Sequence, residues 1–437
     1  MSFVVALVDD DKGSDGPDEG PVDSEAEPAK RASTFASFAV PAFRIIWFGT
    51  FLYYLSIFSG MIARGALAKD LGGDNAALGL VTFAFGAVSI VMTPIGGVLA
   101  DRLAKRRVMI LSTILIGVTS GGLALTEILD ITAFWMLIVA SGAQAAGFAL
   151  LVPARMAFTV DIVGPKLIPN AVALAQISMN SNRVIGPALG AVFIGVSWLS
   201  YAGIYVLGAV LSFVAAACFL FLEAGEPKPG RVQRAPLVEL ADGIKYVRSV
   251  PSVRLVVTLA VLVTMVGFPY VAFLPSVSED FFGRGPEGFA QLSLVGAFGG
   301  LAAGFLVART VLAQGPRVQV VSGVVLAVGL VFLASASTFT VALIAAAVVG
   351  ASTAGFQSMN ATLALSLSEA DYHGRIQSIM SFGFSLFGLV SYPLGLLADA
   401  VGLRPTLIGM GIAVGVLVIV AEVRWRDFRT EVVPISR

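Results

Sequence analysis

The sequence holds one cysteine, Cys218, and one histidine, His373, among 437 residues. A single thiol forms no intrachain disulfide, and one imidazole beside it makes no set of ligands for a structural metal. Charge is scarce too: 13% of the residues are Asp, Glu, Lys or Arg, against roughly 25% in soluble domains. The 28 basic and 28 acidic side chains cancel, so no basic surface for nucleic acid is expected. No nucleophile–base pair, metal-ligand cluster or phosphate loop stands out, so neither an enzyme nor a bound cofactor is expected. Cys218 reads as a small residue within an apolar run, and His373 as a solvated loop residue.

What fills the chain is apolar. Hydrophobic residues make up 57%, and mean hydropathy is +0.90. Residues 184–222 and 318–368 contain no charged side chain at all. About 20 apolar residues cross a bilayer, so each run is long enough for more than one span. The 47 glycines would weaken soluble helices, but small residues let membrane helices approach closely. The expected fold class is an all-α membrane protein with the lipid bilayer as its solvent.

Apolar segments fall near 43–66, 76–100, 108–127, 132–155, 168–195 and 200–222. Six more fall near 254–277, 288–312, 318–337, 339–364, 374–397 and 405–424. The division expected is an acidic, disordered tail at 1–35, a six-helix bundle at 36–222 and a linker at 223–253. A second bundle at 254–424 and a short tail at 425–437 complete it. In the linker, Leu237, Leu240, Ala241, Ile244 and Val247 recur at helical spacing opposite Glu239, Asp242, Lys245 and Arg248. That pattern fits an amphipathic helix on the membrane surface or a solvated linker helix.

With the N-terminus inside, all but Arg64, Lys69, Arg183, Arg284 and Arg404 of the 28 basic residues lie on the cytoplasmic side or at its edge. The positive-inside rule therefore puts both termini in the cytoplasm of a multi-pass cell-membrane protein. The halves also echo each other. Gly147-Phe148 opens a segment running through Asp161 into the fifth span, and Gly355-Phe356 opens a matching one through Glu369 into the eleventh. Lys69-Asp70 and Glu279-Asp280 occupy corresponding places. Such repeats put a substrate site between the halves near mid-membrane.

Between the second and third spans stands Gly97-Val-Leu-Ala-Asp101-Arg102-Leu-Ala104-Lys105-Arg106-Arg107. It resembles the loop 2–3 signature of the major facilitator superfamily, Gly-x-Leu-Ala-Asp-Arg-x-Gly-Arg-Lys/Arg, with Ala104 where that family has its second glycine. Asn182-Arg183-Val-Ile-Gly186-Pro187-Ala-Leu-Gly190 is similar to the fifth span of the branch holding macrolide efflux pumps and the enterobactin exporter. Val152-Pro-Ala-Arg155 followed by Asp161, and His373-Gly374-Arg375, resemble that branch too. The resemblance implies two pseudo-symmetric six-helix bundles, a monomer, and a small-molecule substrate moved by alternating access. It also implies protons as the coupling ion and a cytoplasmic gate at Gly97, Asp101, Arg102, Arg106 and Arg155. For Lys105, Arg106 and Arg107 the competing and preferred reading is that they act as topology determinants.

For the substrate cavity the candidates are Tyr53, Gln176, Asn180, Arg183, Gln357 and Asn360. Gln176, Asn180, Arg183 and Pro187 fall on one helix face, and Gly186-Pro187 is expected to kink the helix there. An arginine at mid-membrane costs about 3 kcal/mol or more and needs protein or water around it. Two readings of Arg183 stay open: direct binding of an anionic or polar substrate, or an anchor bonded to neighbouring spans. Thr353, Gln357 and Asn360 share a face of the tenth span and either line the cavity or bond between helices. Gly296, Gly300 and Gly304 form a close-packing face. Every Asp and Glu lies in a tail, in a loop or at a span end, which leaves Asp101, Asp161 and Asp399 as candidate proton carriers. The function expected is export of a small amphipathic molecule such as a drug, macrolide or siderophore. The alternatives are an importer of a small polar or anionic solute, or a non-transporting scaffold whose acidic tail recruits partners.

Overall fold

A computed structural model describes residues 35–195, 200–225, 236–308, 315–369 and 372–432. The acidic segment 1–34 lies outside them. The N-terminal half contains α1 (Pro41–Gly72), α2 (Asn75–Arg102), α3 (Lys105–Ile128), α4 (Phe134–Val163), α5 (Ile168–Gly195) and α6 (Ser200–Leu220). A linker helix, α7 (Pro236–Ser249), leads to α8 (Pro251–Gly267) and α9 (Tyr270–Phe282). Then come α10 (Gly285–Ala308), α11 (Gly315–Ser335), α12 (Phe339–Ser366), α13 (His373–Val401) and α14 (Leu403–Val432).

Among the described residues, ten helical stretches are long and apolar enough to cross a membrane, α8 and α9 counting as one. α5 and α10, 28 and 24 residues long, fill the two remaining places. The arrangement is two six-helix halves and is compatible with twelve passes. The seventh span is broken at Phe268–Pro269, because a proline has no N–H to continue the α8 ladder.

Local chemistry sets the helix ends. Pro41 stands in the first turn of α1, where its missing N–H costs nothing, and Gly73 ends that helix at φ +77°. The Asp74 carboxylate accepts the Ala77 N–H at 2.7 Å and starts α2. α2 and α3 are joined by Leu103 and Ala104 alone, so the loop 2–3 signature is mostly helical.

The halves do not meet equally at their two ends. One apolar core crosses between them at the end holding the α1–α2 and α11–α12 turns. It joins Ile62, Leu78 and Leu137 to Phe273, Leu292 and Leu407, all at most 5% exposed. Toward the opposite, loop 2–3 end the cores separate. Tyr53, Met109, Leu151 and Phe219 pack within the N-terminal half, while Val253, Met359 and Ile376 pack with α7 in the C-terminal half. The seam at the joined end is α2 against α13. A Cβ on Gly388 would lie 2.6 Å from the Gly86 Cα, and one on Gly86 would lie 2.6 Å from the Ser385 carbonyl. Only hydrogen atoms fit between these two backbones, as in small-residue membrane seams.

Candidate functional site

Arg183 lies about 22 Å along α5 from Ile168 at 1.5 Å per residue, well inside the bundle. Its guanidinium is half-buried and, among the described residues, makes no hydrogen bond or ion pair. It is within electrostatic range of Tyr54 on α1. Arg155 on α4 reaches the same ring, its Cζ 5.9 Å from the Tyr54 centroid, and its buried Nε has no partner. Tyr54, 1% exposed, packs on Tyr53, Phe58 and Phe148 at centroid distances of 5.8, 6.4 and 6.2 Å. Two cations thus converge on one aromatic platform with no carboxylate bonded to either. Chemically this is a place for an anionic or strongly polar group attached to an apolar, ring-stacking body.

The structure separates the other candidates. Tyr53 is fully buried in the N-terminal core, and its hydroxyl has no partner. Gln176 is exposed on α5, the Asn180 side chain lies outside the described residues, and Pro187 is buried within an unbroken α5. Gly186 lets α5 close on α1, where a Cβ would meet the Phe58 Cβ at 2.5 Å. On α12, Gln357 is half-buried without a hydrogen bond among the described residues. Asn360, 3% exposed, accepts from Gln319 of α11 at 2.7 Å, which commits its carbonyl to interhelical bonding.

Of the gate residues, Gly97 is half-buried in the last turns of α2, and Asp101 and Arg102 are exposed at its end. Arg106 donates to the Leu222 carbonyl at 2.8 Å, and Lys105 pairs with Asp161 at 3.0 Å. Both bonds stay within the N-terminal half, so in this conformation these two basic residues tie α3 to its own bundle. Arg155 belongs with Arg183 at Tyr54. The reading of His373 is corrected: it begins α13 half-buried, with Nε2 3.3 Å from the Ser368 carbonyl.

The joined end carries its own polar latch. Lys69 Nζ lies 2.9 Å from Asp280 Oδ1, so the two charged pairs singled out at corresponding places in the halves meet each other. Asp399, near the end of α13, accepts the backbone N–H groups of Asn75 and Ala76 at 2.9 and 2.8 Å. It also accepts from Asn75 Nδ2 at 2.9 Å. A carboxylate from one half therefore caps a helix N-terminus of the other, where the peptide dipoles favour negative charge.

Sequence reasoning missed Arg64. The charge pattern only sets it with Lys69 among the residues off the cytoplasmic side and gives it no role. α1 continues to Gly72, and Arg64 is 9% exposed inside it, donating to Gln144 Oε1 of α4. An arginine five residues inside a polar pair was the available signal.

Two pseudo-symmetric six-helix halves, joined at one end and separate at the other, form the fold of the major facilitator class. The profile of the Major Facilitator Superfamily matches residues 46–392, and the chain belongs to that family. That family is one of membrane transporters and not of enzymes. It is 28% identical over 275 residues to the enterobactin exporter EntS of Shigella boydii serotype 18 (strain CDC 3083-94 / BS512), across 61% of this chain and 64% of the exporter. It is 27% identical over 184 residues to the uncharacterized MFS-type transporter YfiS of Bacillus subtilis (strain 168), across 40% of this chain and 41% of that one. These matches span less than two thirds of the relatives' length. In fold it resembles a bacterial homologue of the human lysosomal transporter Spinster in an inward-facing, unoccupied conformation. The TM-score is 0.71 at 15% identity, covering 92% of this chain and 99% of that one. A POT family transporter in complex with 5-aminolevulinic acid gives 0.68 at 12% identity, covering 88% and 96%.

Proposed function

We propose that this transporter exports a small amphipathic molecule bearing an anionic or strongly polar group, by alternating access across the cell membrane. The observation that carries this is the pair Arg155 and Arg183 on the Tyr54 platform, both without an acceptor among the described residues. A cation held in a membrane protein without a partner is costly, so its natural complement is the substrate. The missing bonds of Arg183 favour substrate binding over the anchor reading. Similarity to an exporter named for enterobactin supports outward direction and a siderophore-like or drug-like substrate.

With the loop 2–3 end and both termini in the cytoplasm, the conformation is sealed outside and unsealed inside. Substrate would enter beside Gln176 and Gln357 and reach the two arginines. Asp101 and Arg102 would then pair across the halves when the inner side closes. Proton coupling is carried over from the family, with Asp101, Asp161 and Asp399 as carriers to be tested.

The experiment is transport by inverted vesicles of a panel of anionic and neutral amphipathic compounds, with and without an imposed pH gradient. Arg183→Met is expected to lower transport of the anionic compounds about a hundredfold at equal protein level, since charge-assisted bonds are worth about 1.5–3 kcal/mol each. Arg183→Lys recovers part of it, having the charge without the planar fork. Unchanged transport in Arg183→Met sinks the site. A second reading, import of a small anionic solute, fits the same arginines, and gradient-independent uptake into right-side-out vesicles would select it.

A further inference from the structure

The polar residues around Arg64 form a group separate from Arg155 and Arg183. Arg64 of α1 sits about 12 Å along the helix from its end at Gly72, 9% exposed. It lines a cavity of about 20 Å³ with Ser56, Thr119, Ser120, Gln144 and Tyr205. These come from α1, α3, α4 and α6, so the cavity lies inside the N-terminal bundle. A water-sized void needs about 10–15 Å³ on this measure, so there is room for one small occupant.

The donors there outnumber the acceptors. The one hydrogen bond of the Arg64 guanidinium goes from Nη2 to Gln144 Oε1, and that amide is held in turn by its Nε2 on the Ile57 carbonyl at 3.3 Å. Its remaining N–H groups are uncommitted, and no carboxylate pairs with it among the described residues. The Ser56 hydroxyl donates to the Gly208 carbonyl at 2.8 Å and accepts from Ser212 at 3.0 Å. The Thr119 hydroxyl donates to the Leu115 carbonyl at 2.6 Å. The Tyr205 hydroxyl, on a residue 2% exposed, has no hydrogen-bond partner among the described residues. A buried cation, an orphan O–H and a small void between them lack one thing, which is a negative charge.

We infer that the Arg64 cavity binds a monovalent inorganic anion of chloride size, held by the Arg64 guanidinium and the Tyr205 hydroxyl. The anion neutralises Arg64 where α1, α3, α4 and α6 meet, so it ties the packing of this half to halide concentration. The site is separate from Arg155 and Arg183, and it stands or falls without the export reading.

The test uses the purified full-length protein in detergent at constant ionic strength. Chloride or bromide replaces gluconate, and thermal unfolding is followed. The melting temperature is expected to rise with halide and to saturate, as for a ligand that binds only the folded state. Tyr205→Phe, which removes one hydroxyl from an otherwise intact core, is expected to raise the halide midpoint about tenfold. Arg64→Met is expected to abolish the response. Identical melting of the native protein in chloride and gluconate would show that water fills the cavity and overturn the inference. So would a Tyr205→Phe midpoint equal to the native one.

Discussion

The two ends of the molecule are bonded in opposite ways. At the joined end an apolar core, a glycine seam, an ion pair and a cross-half helix cap all run from one half to the other. At the loop 2–3 end three contacts stay within one half or its linker. Lys105 pairs with Asp161, Arg106 bonds to Leu222, and the ring of Tyr246 on α7 stacks on Tyr372 at 3.8 Å. The Tyr246 hydroxyl also accepts the Glu369 N–H at 3.0 Å. The difference teaches which bonds must break for alternating access. Opening the joined end costs the cross-half contacts, whereas at the other end Arg102 is already exposed and available to a partner across the halves.

The largest effect on this balance is expected at the seam. Gly388→Val places two methyl groups where the Gly86 Cα and the Thr82 carbonyl already stand 2.6 and 2.9 Å from a bare Cβ. Overpacking of this kind costs about 1–3 kcal/mol, enough to shift the two-state population about tenfold or more toward the form open at this end. Spin labels on the α1–α2 and α11–α12 turns, in a Cys218→Ser background, would read the widening. An unchanged distance distribution would mean that the seam is not what holds this end shut.

Asp399→Asn comes next. The amide keeps the shape but loses the charge that meets the dipole of α2, and its NH₂ cannot accept a backbone N–H. Anions at helix N-termini are worth about 0.3–1 kcal/mol and up to about 2 when partly buried. The same labels should therefore show a severalfold shift in population, smaller than that of Gly388→Val. A shift that exceeds it would make the cap, and not the seam, the main latch.

How much of this was legible in the chain depends on the range of the interaction. The spans, and α7 with them, follow from apolar runs and 3.6-residue spacing, which are local properties. Gly296 and Gly300 do face α12, near the carbonyls of Ala346 and Gly350, although Gly304 meets open space. The bond of Arg64 is not legible locally, because its partner Gln144 lies 80 positions away. Asn360 found Gln319 by tertiary packing, for which periodicity carries no signal. That Arg155 and Arg183 meet at Tyr54 is likewise a product of three helices converging. The one long-range feature legible in the chain is the duplication, whose corresponding pairs Lys69-Asp70 and Glu279-Asp280 meet through Lys69 and Asp280.

That ion pair carries the smallest expected effect, and it sharpens the comparison by separating charge from packing. Asp280 is 40% exposed and Lys69 13%, so solvent screens their attraction, and pairs of this kind contribute about 0–1 kcal/mol. Lys69 also donates to the Gly73 carbonyl at 2.9 Å, a bond that survives loss of its partner. Asp280→Asn should therefore move the spin-label distances by less than Asp399→Asn, and raising the salt should erase the difference from native protein. Combined with Asp399→Asn, the two changes should add, because the groups they remove share no bonded partner. A large, salt-insensitive effect of Asp280→Asn would instead place charge, and not the α2–α13 packing, in control of the joined end.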